Sequence, residues 1–182
     1  MLQTISSLSG LVVVSDVWDC PSLPLVSLMC KQKPESAVLV SLECPVHRLG
    51  VLPCQVVDCF ARDPSFANLG SEVSLLVLDG VSEWISRKGV AEVLRALFRL
   101  LQVHAAVIVT LHADVVDHEI LAHLIAASTS CFSLAGNRVT TLSKRKGGKV
   151  LRVTEEVIDW KVPTLKQVVD AKVSNQGCFC YF

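Results

Sequence analysis

The sequence has no excess of charge of either sign and few aromatic residues. It carries 17 lysines and arginines against 17 aspartates and glutamates, and aromatic side chains make up 5% of its 182 residues. Because the net charge is zero, the chain as a whole attracts neither nucleic acid nor a membrane, and any basic function must be local. At 51% hydrophobic residues the chain predicts an aliphatic core and association with partner chains.

Long apolar runs and cysteine pairs are also missing. No uncharged apolar run reaches the roughly 18 residues that a membrane-spanning helix needs. The N-terminus has no basic segment ahead of an apolar one, so we expect no secretory signal. The eight cysteines include no C-x-x-C pair. Because they are scattered through apolar runs, we interpret them as reduced thiols of a cytosolic protein and not as a disulfide framework.

What is present is an alternation of short buried runs and helical stripes. This alternation predicts an α/β fold with a mostly parallel sheet covered by helices on both faces. The predicted strands are 10–15, 37–42, 55–59, 74–79 and 105–111, and the predicted helices are 23–31, 88–103 and 117–127. Segments 139–146 and 149–154 flank Gly147-Gly148 and predict a closing antiparallel hairpin. We expect one domain over residues 1–160 and an irregular tail over 161–182.

The predicted strands frame an ATPase-like centre that has no phosphate loop. The motif G-x-x-x-x-G-K-[ST] occurs nowhere in the sequence. Its place after the first strand is taken by Asp16–Ser22, which contains no glycine to approach a phosphate and no lysine to neutralise one. This segment is best interpreted as an ordinary connection between a strand and a helix. The chain therefore predicts a nucleotide-binding framework without the nucleotide chemistry.

Two other features have residue types that suit a site of chemistry. Asp79 ends a buried strand, where a carboxylate could face Mg²⁺, but the pair Asp79-Gly80 is also a frequent turn. Histidines and acids then crowd one segment. These are His112, Asp114, Asp117, His118, Glu119 and His123.

Such side chains suit Zn²⁺ or Fe²⁺, yet His118 and His123 are five residues apart and do not share a helix face. Asp117 is also a good helix N-cap. No G-x-S-x-G elbow occurs either. We expect no enzymatic activity, no metal and no cofactor, and a metal-dependent α/β hydrolase using residues 112–123 remains the alternative.

The closing hairpin carries a local basic cluster. Five positive charges fall within nine residues with no acid among them, namely Lys144, Arg145, Lys146, Lys149 and Arg152. On a hairpin tip these side chains could contact RNA phosphates without reading bases. They could equally be a solvated edge whose charge prevents edge-to-edge pairing of sheets.

Taken together, four stretches resemble the Elongator complex protein 5 family, whose members are RecA-like subunits without the phosphate-loop lysine. These are 10–16 (G-L-V-V-V-S-D), 58–64 (D-C-F-A-R-D-P), 76–85 (L-V-L-D-G-V-S-E-W-I) and 107–115 (V-I-V-T-L-H-A-D-V). The order and spacing of the stretches, over roughly residues 10 to 160, carry the likeness. The segment between the first and third strands is short, and the tail 176–182 differs from the acidic, Trp-containing end of the family. A shortened form of the family would explain both departures.

The resemblance implies a RecA-like fold without a functional phosphate loop, and a scaffold role with no catalytic residue and no cofactor. Proteins of this family join Elongator subunits 4 and 6 in a hetero-hexameric ring that binds tRNA and supports modification of the wobble uridine. The implied location is the cytoplasm, with the nucleus as a second site. A degenerate RecA-like factor of DNA recombination is a further alternative, because it would share the fold but not the partners.

Overall fold

The sheet of this protein is seen in a computed structural model that describes residues 8–19, 21–60, 62–66, 69–70, 72–144, 150–159 and 164–171. The strands are β1 (Gly10–Asp16), β2 (Ala37–Ser41), β3 (Gln55–Asp58), β4 (Leu75–Asp79), β5 (Ala106–His112), β6 (Ser130–Ala135), β7 (Arg138–Lys144), β8 (Val150–Asp159) and β9 (Thr164–Ala171). Within the described residues they form one nine-stranded sheet in the order β3-β2-β4-β5-β1-β6-β7-β8-β9.

The first six strands of that order run parallel and the last four run antiparallel, with β6 shared between the two parts. Every residue of β2, β4 and β5 is buried, as expected for parallel strands that are covered on both faces. The prediction of a mostly parallel α/β sheet with a closing antiparallel hairpin is confirmed.

In the described part of the chain, four α-helices cover the sheet: α1 (Leu23–Cys30), α2 (Val81–Lys88), α3 (Val90–Leu100) and α4 (His118–Ala127). Side chains along β1 alternate between two core clusters. Leu11 and Val13 pack in the cluster that holds apolar residues of α2, α3 and α4. Val12 and Val14 pack in the other cluster with apolar residues of α1. Of the described α-helices, one therefore lies on one face of the sheet and three on the other, with β1 at the centre.

The helix predicted over 88–103 is found as α3 over Val90–Leu100, which begins directly after Gly89. This glycine has φ of 80°, a region that L residues rarely adopt, and so it ends α2 and begins α3. The sequence analysis missed α2. Its apolar residues Val81, Trp84 and Ile85 recur at helical spacing and are all buried.

The prediction of an irregular tail over 161–182 is corrected in part. Residues Thr164–Ala171 form β9, which pairs antiparallel with β8. The weak apolar pattern of this segment does not predict a strand. Its backbone nevertheless forms hydrogen bonds with the neighbouring strand β8. Residues 172–182 lie outside the described part of the chain. Among the described residues, no helix has the length and apolarity to cross a membrane.

Candidate functional site

Four polar side chains meet where the parallel strands end. Asp16, Asp79 and His112 are the last residues of β1, β4 and β5, and Glu43 follows the end of β2 by two residues. In open α/β sheets, ligands bind in the crevice outside the carboxyl ends of the strands. We call these four residues the carboxyl-edge cluster and treat it as the candidate functional site.

His112 lies between two carboxylates. Its Nδ1 donates to Oδ1 of Asp16 at 2.5 Å, and its Nε2 donates to Oε1 of Glu43 at 2.9 Å. The hydrogen bond to Asp16, and then the one to Glu43, raise the pKa of His112 to about 10, although burial acts in the opposite direction. The imidazole is therefore a cation at neutral pH with both N–H groups in use. A ring held in this state does not accept a proton from a substrate.

Asp16 occupies the position of an anion at the start of α1. Its Oδ2 accepts the backbone N–H of Ser22, the residue that caps the first turn of α1, at 2.5 Å. The residue is 2% exposed. Helix N-termini bind phosphates because their free N–H groups and the helix dipole attract negative charge. In this protein the carboxylate of Asp16 lies at that place. The segment Asp16–Ser22 therefore fills the anion position as well as connecting β1 to α1.

Asp79 is held by the neighbouring strand. The hydroxyl of Thr110 donates to Asp79 Oδ1 at 2.8 Å and accepts the backbone N–H of Gly80, also at 2.8 Å. Burial raises the pKa of Asp79 to about 6, with the nearby charge of Glu43 acting in the same direction and the Thr110 hydrogen bond opposing it. Gly80 has φ of 83°, so the expected Asp-Gly turn is present.

Trp18 lies over the cluster on the solvent side. Its ring meets the His112 ring edge-on, with centroids 5.2 Å apart, and the residue is 69% exposed. Its backbone N–H donates to Oδ2 of Asp114 at 3.2 Å, which ties the segment after β1 to the segment after β5. An aromatic ring therefore stands where solvent or a ligand would approach the imidazolium.

The chemistry open to this arrangement is limited. Three carboxyl groups and one histidine meet here, and no lysine or arginine of the described residues contacts them. A triphosphate would meet the negative charge of Asp16 and Glu43 in place of a lysine and Mg²⁺. The cluster is suited to holding β1, β2 and β5 together at their ends through buried charge-assisted hydrogen bonds.

The six residues considered as metal ligands are not brought together. His112 belongs to the carboxyl-edge cluster, and Asp114 accepts from Trp18. Asp117 caps α4 by accepting the Glu119 N–H at 2.8 Å. His118, Glu119 and His123 are exposed on α4. Within the described parts of the chain, no group of three or more His, Cys, Asp or Glu is placed to hold a metal ion.

The basic cluster of the hairpin is divided by the structure. The Lys144 ammonium donates to the backbone carbonyls of Ile125 and Ala126 at the end of α4. Burial lowers the pKa of Lys144. Arg152 is exposed on β8. The other three predicted residues, Arg145, Lys146 and Lys149, lie outside the described residues.

The end of the stretch 58–64 contacts the last turn of α2. Asp63 Oδ2 lies 2.7 Å from Nζ of Lys88, and the carbonyl of Arg62 accepts from Nη1 of Arg87 at 3.0 Å. Phe66 packs against Trp84 with ring centroids 5.8 Å apart. Residues 62–66 therefore pack against α2, the helix whose first residues belong to the stretch 76–85.

Sequence reasoning missed Glu43 and the pairing of Asp16 with His112. A signal for Glu43 was available, since it is an acid just after a buried strand, as Asp79 is. The pairing was harder to find, because Asp16 and His112 are separated by 96 residues. They meet because β1 and β5 are parallel neighbours with Asp16 in register with His112.

Comparison with known proteins defines the fold. No family model matches the sequence, and no curated protein is significantly similar to it. Among solved structures, the flagellar accessory protein FlaH from Methanocaldococcus jannaschii matches with a TM-score of 0.62 and 12% identity, over 92% of this chain and 95% of that chain. At this identity the likeness shows the fold alone. The chain has an α/β, RecA-like fold.

Proposed function

We propose that this chain is a non-catalytic scaffold subunit of the Elongator complex, within the RecA-like hetero-hexameric ring that binds tRNA and supports wobble-uridine modification. The observation that carries the proposal is the occupied anion position. Asp16 accepts the Ser22 N–H at the start of α1 and is bridged by His112 to Glu43. A RecA-like framework closed in this way suits a subunit that has kept the fold for assembly and not for hydrolysis.

The surface of the chain also supports a role in an assembly. The exposed large apolar side chains include Trp18, Phe60, Phe98 and Val115. Trp18 and Val115 follow β1 and β5 at the carboxyl edge of the sheet, and Phe60 follows β3 at the same edge. In the proposed ring, this edge would meet a neighbouring subunit, with Elongator subunits 4 and 6 as the partners. The location would be cytoplasmic, with the nucleus as a second site.

The first experiment is affinity purification of the tagged full chain from its own cells, with identification of the proteins that elute with it. Recovery of Elongator subunits 4 and 6 in stoichiometric amounts is the expected result. Recovery of recombination factors in their place, or of a lone chain with metal-dependent hydrolase activity, would contradict the proposal. The ring is tested directly by mixing the purified chain with subunits 4 and 6. The molar mass of the product is then measured by light scattering.

The second experiment addresses tRNA. Because the Lys144 ammonium already binds the end of α4, the variant should leave it intact and reverse Arg145, Lys146 and Lys149 to Glu. We expect the assembled ring to bind tRNA more weakly, with a shallower dependence of affinity on salt. The matched control reverses Lys31, Arg95 and Arg99, three exposed residues on or next to helices, and changes the net charge equally. If both variants weakened tRNA binding equally, the affinity for tRNA would depend only on the overall charge.

A further inference from the structure

Two exposed apolar side chains belong to neighbouring segments at the carboxyl edge of the sheet. Trp18 is 69% exposed and Val115 is 64% exposed. The backbone N–H of Trp18 donates to Oδ2 of Asp114 at 3.2 Å, so the segment that carries Trp18 is tied to the residue before Val115. We call Trp18 and Val115 the apolar pair. Tryptophan is among the residues that contribute most to the binding energy of protein interfaces, so this pair marks a place where another molecule can bind.

The ring of Trp18 is supported from below. It meets the ring of His112 edge-on, with an angle of 68° between the two planes and 5.2 Å between the centroids. His112 is itself fixed by hydrogen bonds to Asp16 and Glu43. A side chain that is already supported loses less conformational entropy when a partner binds it. Trp18 is therefore suited to be the anchor of an interface.

The charge around the apolar pair selects the kind of partner. The segments 16–22 and 112–123, which carry the pair, contain five acidic residues and no lysine or arginine. Four of these acids are exposed, and within the described part of the chain none of the four forms an ion pair with a lysine or arginine, namely Asp19, Asp114, Asp117 and Glu119. The phosphates of RNA or of a lipid surface carry the same sign of charge and would be repelled. A polypeptide segment with lysine or arginine beside an apolar side chain is complementary in both respects.

We propose that the apolar pair and the four exposed acids bind a basic segment of a neighbouring ring subunit. An apolar side chain of that segment packs on Trp18, and its lysine or arginine side chains lie against the acids around it. The inference rests on the proposed function, because the ring supplies the neighbour, and it adds the chemistry by which the neighbour is recognised. Tryptophan at the centre would then govern how slowly the partner leaves, and the acids at the rim would govern how fast it arrives.

The first test replaces the anchor. The purified full chain is immobilised, and the association and dissociation of Elongator subunits 4 and 6 are followed by interferometry. Trp18→Ala should weaken the affinity at least about tenfold, mainly through faster dissociation. The matched control is Phe98→Ala, which removes a 50% exposed aromatic side chain from α3 and should leave the affinity unchanged. Equal affinities for the wild type and both variants would overturn the proposal.

The second test reverses charge at the rim. In the double variant Asp19→Lys with Glu119→Lys, association should slow about tenfold or more at low salt, and the difference from the wild type should shrink as salt screens the charges. The matched control is Glu35→Lys with Glu72→Lys. These two exposed acids precede β2 and β4 at the opposite end of the sheet, and the change of net charge is the same. Equal slowing in the two double variants would show that only net charge acts, and would overturn the proposed surface.

The outcomes separate this inference from the proposed function. If subunits 4 and 6 bind the wild type but bind Trp18→Ala and the rim variant equally well, the ring proposal stands and the docking surface is wrong. If they do not bind the wild type, both proposals fail. Light scattering of the chain alone is the further check, since a dimer that is lost in Trp18→Ala would assign the surface to a second copy and overturn the assignment to a basic neighbour. Should Trp18→Ala fail to fold, Val115→Ser tests the apolar pair in its place.

Discussion

Oδ1 of Asp16 lies 2.5 Å from Nδ1 of His112, and these two residues are in register on neighbouring parallel strands. The contact joins the first strand of the chain to the fifth at the place where a nucleotide-binding protein of this architecture would hold phosphate. The protein's own carboxylates hold the imidazolium. The contribution of this contact to the stability of the protein can be measured.

Replacing His112 with phenylalanine should strongly destabilise the protein. The side chain of Asp16 is 1% exposed, so the variant leaves a buried carboxylate without its cationic partner. Loss of one partner of a buried ion pair typically costs about 3 kcal/mol or more. Urea unfolding near neutral pH measures the change. The control His123→Ala, at an exposed position on α4, should change the free energy of unfolding by less than about 0.5 kcal/mol.

The same pair gives the stability a defined pH dependence. The pKa of His112 is raised from 6.5 to about 10 in the folded chain. A raised histidine pKa contributes stability that is fully present below the unfolded value and is lost as pH rises through the folded value. The free-energy gap between wild type and His112→Phe should therefore narrow between about pH 6.5 and about pH 10. A gap that stays constant over this window would show that His112 acts only through packing.

Replacing Asp79 with asparagine should stabilise the protein at neutral pH. Burial raises the pKa of Asp79 from its ordinary 3.8 to about 6 in the folded protein. The stability that the neutral carboxyl group contributes is therefore fully present below about pH 3.8 and is lost as pH rises through about 6. The amide stays neutral and can still accept from Thr110. We expect a gain on the order of 2 kcal/mol at pH 7.5 that vanishes near pH 4. Urea unfolding at both pH values measures it, and Asp117→Asn at the exposed cap of α4 is the control. A less stable Asp79→Asn at pH 7.5 contradicts the assignment.

Gly80→Ala should distort the carboxyl-edge cluster. A Cβ at this position would lie 2.4 Å from Cγ of Glu43, the residue that holds His112. Gly50→Ala is the matched control, because its φ of 71° resembles the 83° of Gly80 but no atom lies within 4 Å of its Cβ. Each variant bears about 1 kcal/mol of backbone strain, and only Gly80→Ala adds the clash. Thermal unfolding should show Gly80→Ala to be less stable by at least about 1 kcal/mol more; equal losses would mean that Glu43 moves aside freely.

Lys144→Gln tests the contact between the hairpin and α4. The ammonium binds carbonyls at the end of α4, where a positive charge also suits the helix dipole. We expect a loss of about 1 kcal/mol in the free energy of unfolding. Arg138→Gln, which removes an exposed ion pair with Glu155, should lose less than about 0.5 kcal/mol. The reverse order would assign Lys144 to the solvated edge of the sheet.

Much of the sheet was predictable because parallel strands buried on both faces appear as continuous apolar runs. The runs at 37–42 and 74–79 correspond to β2 and β4. Helix α2 was missed because it begins immediately after β4, so its apolar residues extend the preceding run. The predicted helix over 88–103 began one residue before Gly89, because apolar spacing does not show that this glycine, with φ of 80°, separates α2 from α3.

The candidate site was less predictable than the sheet. Asp16 was interpreted as part of an ordinary connection between a strand and a helix, and His112 was considered as a metal ligand. Their pairing depends on β1 lying beside β5 and not beside β2, which is a matter of strand order. Apolar patterns determine which segments are strands, but they carry little information on which strand is next to which.

The place of β1 in the sheet also determines when this strand can pair. Both neighbours of β1, namely β5 and β6, come late in the chain, beginning at Ala106 and Ser130. During synthesis, β1 therefore has no neighbouring strand to pair with until the segment from Ala106 onward has been made. Pairings so distant in sequence close large loops and slow the folding of a chain. The apolar run Leu11–Val14, which is buried in the folded protein, therefore lacks its strand partners for longer than the runs of β2 and β4, a situation that favours aggregation of the nascent chain.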